Sequence, residues 1–177
     1  IRNKCTNGVK CTDEEHEYIG IIAGASVEQY KNGHIKKHEE TITERESVFS
    51  NYLKIVEFNV EPVLLFHRKH DGLNALMAPL MLERPEYEFT SWDRGKHEIW
   101  VIKKRETVAQ IEAYYKDIEN IYIADGHHRS ASSARLADQR GATNKDKAFE
   151  HFMAYIIPSS SLTIKGFHRM LKDLNGL

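Results

Sequence analysis

Apolar positions along the chain recur with two periods, and the alternation between them sets the predicted elements. Residues 17–26, EYIGIIAGAS, form an apolar run with small residues, which predicts one buried strand. A short helix follows, with Ser26 placed to cap it and Gly33 to end it. Ile42, Val48, Phe49, Tyr52 and Leu53 then recur at helical spacing. EPVLLFHR, residues 61–68, reads as a continuous apolar strand. A helix is expected over residues 73–82, and Pro85 closes that unit.

The second half continues the alternation. YEFTSWDRGKHEIWVIKK, residues 87–104, predicts a hairpin turning at Asp93, Arg94 and Gly95, with Trp92 and Trp100 packing within it. Val108, Ile111, Tyr114, Tyr115 and Ile118 mark an amphipathic helix. IYIADG, residues 121–126, is a short buried strand, and a helix follows from about His127. Residues 144–162 read as loop, strand and Pro-Ser turn. Residues 1–16 show no period and are expected to be an irregular lead-in, truncated at its start, to a single domain over 17–177. Strands and helices mixed in this order, with one hairpin, predict an α+β (mixed α/β) fold around one sheet.

Composition narrows the function classes. With 177 residues, 41% hydrophobic and 29% charged, the chain is long enough for one core and has the balance of a globular protein. Its net charge of −1 offers no general attraction to nucleic acid or membrane, so any anion site must be local. No apolar run approaches the roughly 20 residues that span a bilayer. The start shows no charged-then-apolar leader, and the two cysteines, Cys5 and Cys11, are too few for a secreted disulfide framework. A cytoplasmic location is expected. The oligomeric state is left open.

The chemistry concentrates in ADGHHRSASSA, residues 124–134, where a strand hands over to a helix. The first N–H groups of a helix have no internal acceptor, and the helix dipole adds partial positive charge there. Gly126 lets an anion approach the backbone, and His127, His128, Arg129 and Ser130 add donors, Arg129 as a two-pronged fork. The small residues 130–134 let the helix pack close to the sheet. The competing reading is a solvated basic turn capped by Asp125. The letters alone leave both open.

This stretch strongly resembles the signature of domain-of-unknown-function family 1015. So do NGHIKKHEETITERE, residues 32–46, and the closing KDLNGL, residues 172–177. The resemblance runs from about Tyr18 to Leu177. Members of that family are longer at both ends, so the chain looks like the middle of one. The family in turn is similar to the ParB/sulfiredoxin superfamily, which implies a mixed sheet with flanking helices and a strand–turn–helix phosphate site. In sulfiredoxins a catalytic cysteine follows the glycine. His127 stands there instead, so sulfinic-acid repair is not expected. ParB-type members bind CTP and DNA, but no helix-turn-helix segment is evident here, so nucleic acid is not expected as a partner.

The nearest functional relatives by motif are free-serine kinases. Resemblance to them implies phosphoryl transfer from ATP or ADP, with Mg²⁺, to a small hydroxyl-bearing substrate. By that match Glu39 is the base, Asp125 a substrate or Mg²⁺ contact, and His127 a third catalytic group. Gly126, His128, Arg129 and Ser130 would hold phosphates, and His38, His168 and Arg169 could border the site. The alternative is a nucleotide- or phosphate-binding module without turnover. Read without the family, KKHEET is a charged loop before a helix, with Thr41 as N-cap and Glu44 completing a capping box. His34 and His38 are four apart, but they lack the H-E-x-x-H order and follow Gly33, so no metal site is expected.

Overall fold

Gly20 divides what the apolar pattern presents as one strand. Strand β2 (His16–Ile19) lies before it and β3 (Ile21–Ser26) after it, and the two belong to different sheets. A Cβ at position 20 would lie 2.5 Å from the Tyr155 ring and 2.6 Å from the Ile156 carbonyl oxygen. Only glycine lets the chain cross so close to its neighbouring strand. The computed structural model describes residues 2–5, 16–92, 94–141, 147–164, 166 and 168–171.

The fold is mixed α+β, as expected, but it has two sheets in place of one. The first is antiparallel, in the order β2-β1-β7-β6, with β1 Arg2–Cys5, β6 Tyr87–Thr90 and β7 Gly95–Ile99. Arg2–Cys5 falls in the stretch expected to be irregular. It becomes a strand because both β2 and β7 offer it backbone partners. The second sheet runs β3-β9-β5-β8-β4, with β4 Ile35–Lys36, β5 Val63–His67, β8 Ile121–Asp125 and β9 His151–Pro158. It is mixed: β9 is parallel to β5 and antiparallel to β3, while β8 is antiparallel to β5 and parallel to β4. The two-residue β4 is too short to show a period.

Five α-helices accompany the sheets among the described residues: α1 Val27–Lys31, α2 Thr43–Val56, α3 Asp71–Leu80, α4 Arg105–Asp117 and α5 His127–Arg140. Ser26 caps α1 through its hydroxyl, which accepts from the Gln29 N–H. Helix α5 buries Ser130, Ala131, Ser132, Ser133 and Ala134, so the small residues do admit close packing. The main core joins Ile35, Val63, Leu65, Ile121, Ile123, Phe152 and Ala154 of the second sheet to Ala131 and Ala134. Each large side chain there contributes about 1.5–3 kcal/mol by leaving water. A smaller cluster ties Leu73 and Met77 of α3 to Ile111 of α4.

Helix α2 corrects the sequence reading on two counts. Most of the expected apolar stripe faces outward: Val48 is 67% exposed, and Phe49 and Tyr52 are exposed too, while Ser50 is the buried position and Leu53 is half-buried. The helix packs along α5, whose buried face is made of small residues, and the small Ser50 is the fully buried residue of α2. The expected capping box is also absent. Ile42 is the N-cap, without a side-chain cap bond, and the Thr41 hydroxyl donates to the Glu46 carboxylate. In the hairpin, Trp92 is 98% exposed and does not pack, whereas Phe89 stacks on His97 across the strands. Arg94 takes the left-handed conformation of the turn, and Asp93 lies outside the described residues.

Candidate functional site

Strand β8 ends at Asp125 and α5 begins at His127, so the hand-over takes a single residue. Gly126 makes it at φ +99° and ψ 29°, in the left-handed region. A Cβ there would also meet the Arg129 guanidinium carbon at 3.2 Å and the Val63 Cα at 3.3 Å. Both the backbone angle and the close strand therefore require glycine. The first intrahelical bond runs from Ser130 N–H to the Gly126 carbonyl, 3.0 Å. The N–H groups of residues 126–129 precede it and have no intrahelical acceptor.

Gly126 is the N-cap, and Asp125 does not cap the helix. Its carboxylate instead accepts from Arg129 at 2.6 Å, one helical turn away. Arg129 also donates to the Pro62 carbonyl and lies 3.4 Å from Glu61. The guanidinium thus spans the turn and the start of β5. Glu61 and Pro62 escaped sequence reasoning because EPV reads only as a strand leader. Their role follows from β5 lying beside β8, where Leu64 pairs with Asp125.

His127 is the first residue of α5, and its ring is only 5% exposed. Its Nε2 accepts from the His38 backbone N–H at 3.5 Å, and its Nδ1 lies 3.7 Å from Glu39 Oε2. The His38 ring meets it edge-to-face, with centroids 4.4 Å apart. Burial lowers the His127 pKa, the positive charge available to His38 adds to the effect, and Glu39 and Asp125 oppose it. The neutral ring is favoured.

A recess of about 550 Å³ opens beside this contact, lined by Tyr30, Lys37, His38, Glu39, Glu40 and Thr41. Lys37 holds its ammonium over the Tyr30 ring at 4.0 Å. A second cavity, about 870 Å³, is bounded chiefly by aliphatic residues of β3, α3, α4 and the segment after β7.

The structure therefore brings together Glu39, His38, His127, Gly126, Asp125 and Arg129. Ser130 is adjacent but turned inward: its hydroxyl donates to the Gly126 and His127 carbonyls. His128 has a buried Nδ1 without a hydrogen-bond partner among the described residues. His168 and Arg169 are exposed on the tail that follows β9. Among the described residues no group of three or more His, Cys, Asp or Glu side chains could hold a metal ion. No helix among them is long and apolar enough to cross a membrane.

The segment of residues 32–46 thus meets the β8–α5 turn at the His38–His127 contact. A family model described as "Protein of unknown function (DUF1015)" matches residues 4–177. The chain belongs to that family. No curated protein and no solved structure matches it. Two of the three DUF1015 motifs read from the sequence converge on this site. The third, residues 172–177, lies outside the described residues.

Proposed function

We propose that the chain carries out nucleotide-dependent phosphoryl transfer to a small hydroxyl-bearing metabolite, free serine or a similar compound, with ATP or ADP as donor. The reading rests on one observation: a glycine-only turn opens the N-terminus of α5 beside a carboxylate, Glu39, contributed by a distant segment. An open helix N-terminus suits phosphate oxygens. A carboxylate near it suits the acceptor proton. The motif similarity to free-serine kinases points the same way.

In the proposed reaction the acceptor hydroxyl gives its proton to Glu39. Its oxygen bonds to the terminal phosphorus as the bridging P–O bond breaks, releasing ADP or AMP. Residues 126–129 hold the phosphates. Asp125 and Glu61 already counter the Arg129 charge, and the neutral His127 adds none. The turn is therefore poorly suited to a bare phosphate and better suited to one carrying Mg²⁺. With Asp125 and Glu61 engaged by Arg129 and Glu39 assigned to the acceptor proton, the phosphates and water would supply most of the metal's ligands.

The test is calorimetry of the full chain with ATP and ADP, with and without Mg²⁺, followed by assay for a phosphorylated acceptor. Wild type is expected to bind the Mg²⁺ complex, and Arg129→Ala to lose it. Glu39→Gln should bind and not turn over. Binding without any phosphorylated product in wild type would favour a nucleotide-binding module. No binding at all would sink both readings.

A further inference from the structure

We propose that His127 is a positioning residue for Glu39: the His38 backbone fixes its ring as the Nδ1–H tautomer, and that N–H aims at the Glu39 carboxylate. The inference rests on the phosphoryl-transfer reading only for what Glu39 does, not for the geometry.

The two ring nitrogens of His127 face different partners. Nε2 lies 3.5 Å from the His38 N–H, and a backbone N–H can only donate. Nε2 must therefore be the acceptor and carry no hydrogen. A neutral imidazole then holds its hydrogen on Nδ1, the nitrogen facing Glu39 Oε2 at 3.7 Å. That separation exceeds a hydrogen bond in the free protein, and such contacts commonly tighten in the substrate complex.

Two consequences follow. Neither ring nitrogen is free to take a substrate proton, so His127 is not itself the base. The ring also cannot turn away easily, because it is buried and meets the His38 ring edge-to-face at 4.4 Å. Glu39, whose side chain is 60% exposed and lines the 550 Å³ recess, is thereby tied to the first turn of α5. Base and phosphate site share one rigid reference, which is what in-line transfer requires.

The experiment is long-range ¹H–¹⁵N correlation of the ¹⁵N-labelled full chain at neutral pH. The His127 signals are identified by their loss in His127→Gln or, should that variant not fold, by contacts to the His38 ring. A protonated Nδ1 with an unprotonated Nε2 is expected. Hydrogen on Nε2, or on both nitrogens, overturns the proposal. A second arm compares variants in the transfer assay. His127→Asn sets an amide where Nδ1 stood, His127→Gln sets one where Nε2 stood, and His127→Phe keeps only the ring. Turnover should survive within a few-fold in Asn and fall roughly 100-fold in Gln and Phe, with nucleotide KM unchanged. Equal loss in Asn and Phe overturns it. A wild type without turnover would defeat the phosphoryl-transfer reading, while the tautomer measurement still decides the geometry.

Discussion

Arg129 reaches back across Gly126 and holds the Asp125 carboxylate at 2.6 Å, closing the turn that joins β8 to α5. The same guanidinium bonds the Pro62 carbonyl, so one side chain links the end of β8 and the residue before β5 to the helix start. Its charge is consequently shared before any ligand arrives.

That sharing predicts an inverse effect of Asp125→Asn on two ligands. Removing the carboxylate leaves Arg129 less neutralised and exposes an anion to less repulsion. Inorganic phosphate should bind several-fold more tightly to the variant, and Mg²⁺–ATP more weakly. Calorimetry with each ligand reads both. Equal changes in the same direction would contradict the assigned charge balance.

Gly126→Ala tests the turn itself. The left-handed backbone should cost about 1–2 kcal/mol, and the 3.2 Å approach to Arg129 and 3.3 Å approach to Val63 add to it. Urea denaturation should show a lower midpoint with an unchanged slope. A variant as stable as wild type would mean that the turn is not held as described.

Ser50→Ala is expected to stabilise the protein. The Ser50 side chain is fully buried in α2, and its hydroxyl has no hydrogen-bond partner among the described residues. Alanine removes that desolvated group and has the higher helix propensity, for a gain of about 1 kcal/mol. Ile55→Ser on the exposed face should change stability by less than roughly 0.5 kcal/mol. Thermal unfolding of the two variants checks which face of α2 is inside; the apolar pattern alone predicts the opposite order.

His67 makes stability depend on pH. It is 1% exposed at the end of β5, and burial lowers its pKa from 6.5, with His70 adding to the effect and the Arg68 carbonyl opposing it. Between the lowered value and 6.5 the unfolded chain binds the proton that the folded chain refuses. This contribution is thus fully present above 6.5 and is lost as pH falls below it. Urea unfolding stepped from about pH 8 to about pH 5 should show the decline, and His67→Gln should flatten part of it. An unchanged slope in the variant would remove His67 as the cause.

Much of the fold was legible because local chemistry leaves few options. The strand of residues 121–125, the helix from His127, the α4 stripe and the Ser26 cap follow from period and capping alone. The site was legible in part. Gly126 and Arg129 stand in one turn, and the motif around Glu39 was marked as its counterpart. What could not be read was that His127 bridges them, or that Glu61 and Pro62 hold Arg129, since each depends on a contact 67 or more residues away in the chain.

By itself the sequence determined the longer helices and strands and their order, the glycine-bound turn and the family. Those rest on interactions within a few residues, such as backbone angles, caps and hydrophobic period. Only the tertiary structure decided that Gly20 splits one apolar run between two sheets, that α2 turns Ser50 inward, and that His127 is buried between His38 and Glu39. Each of these is set by what the neighbouring surface can accept: a strand too close for a Cβ, a helix face made of small residues, and a backbone N–H that needed an acceptor.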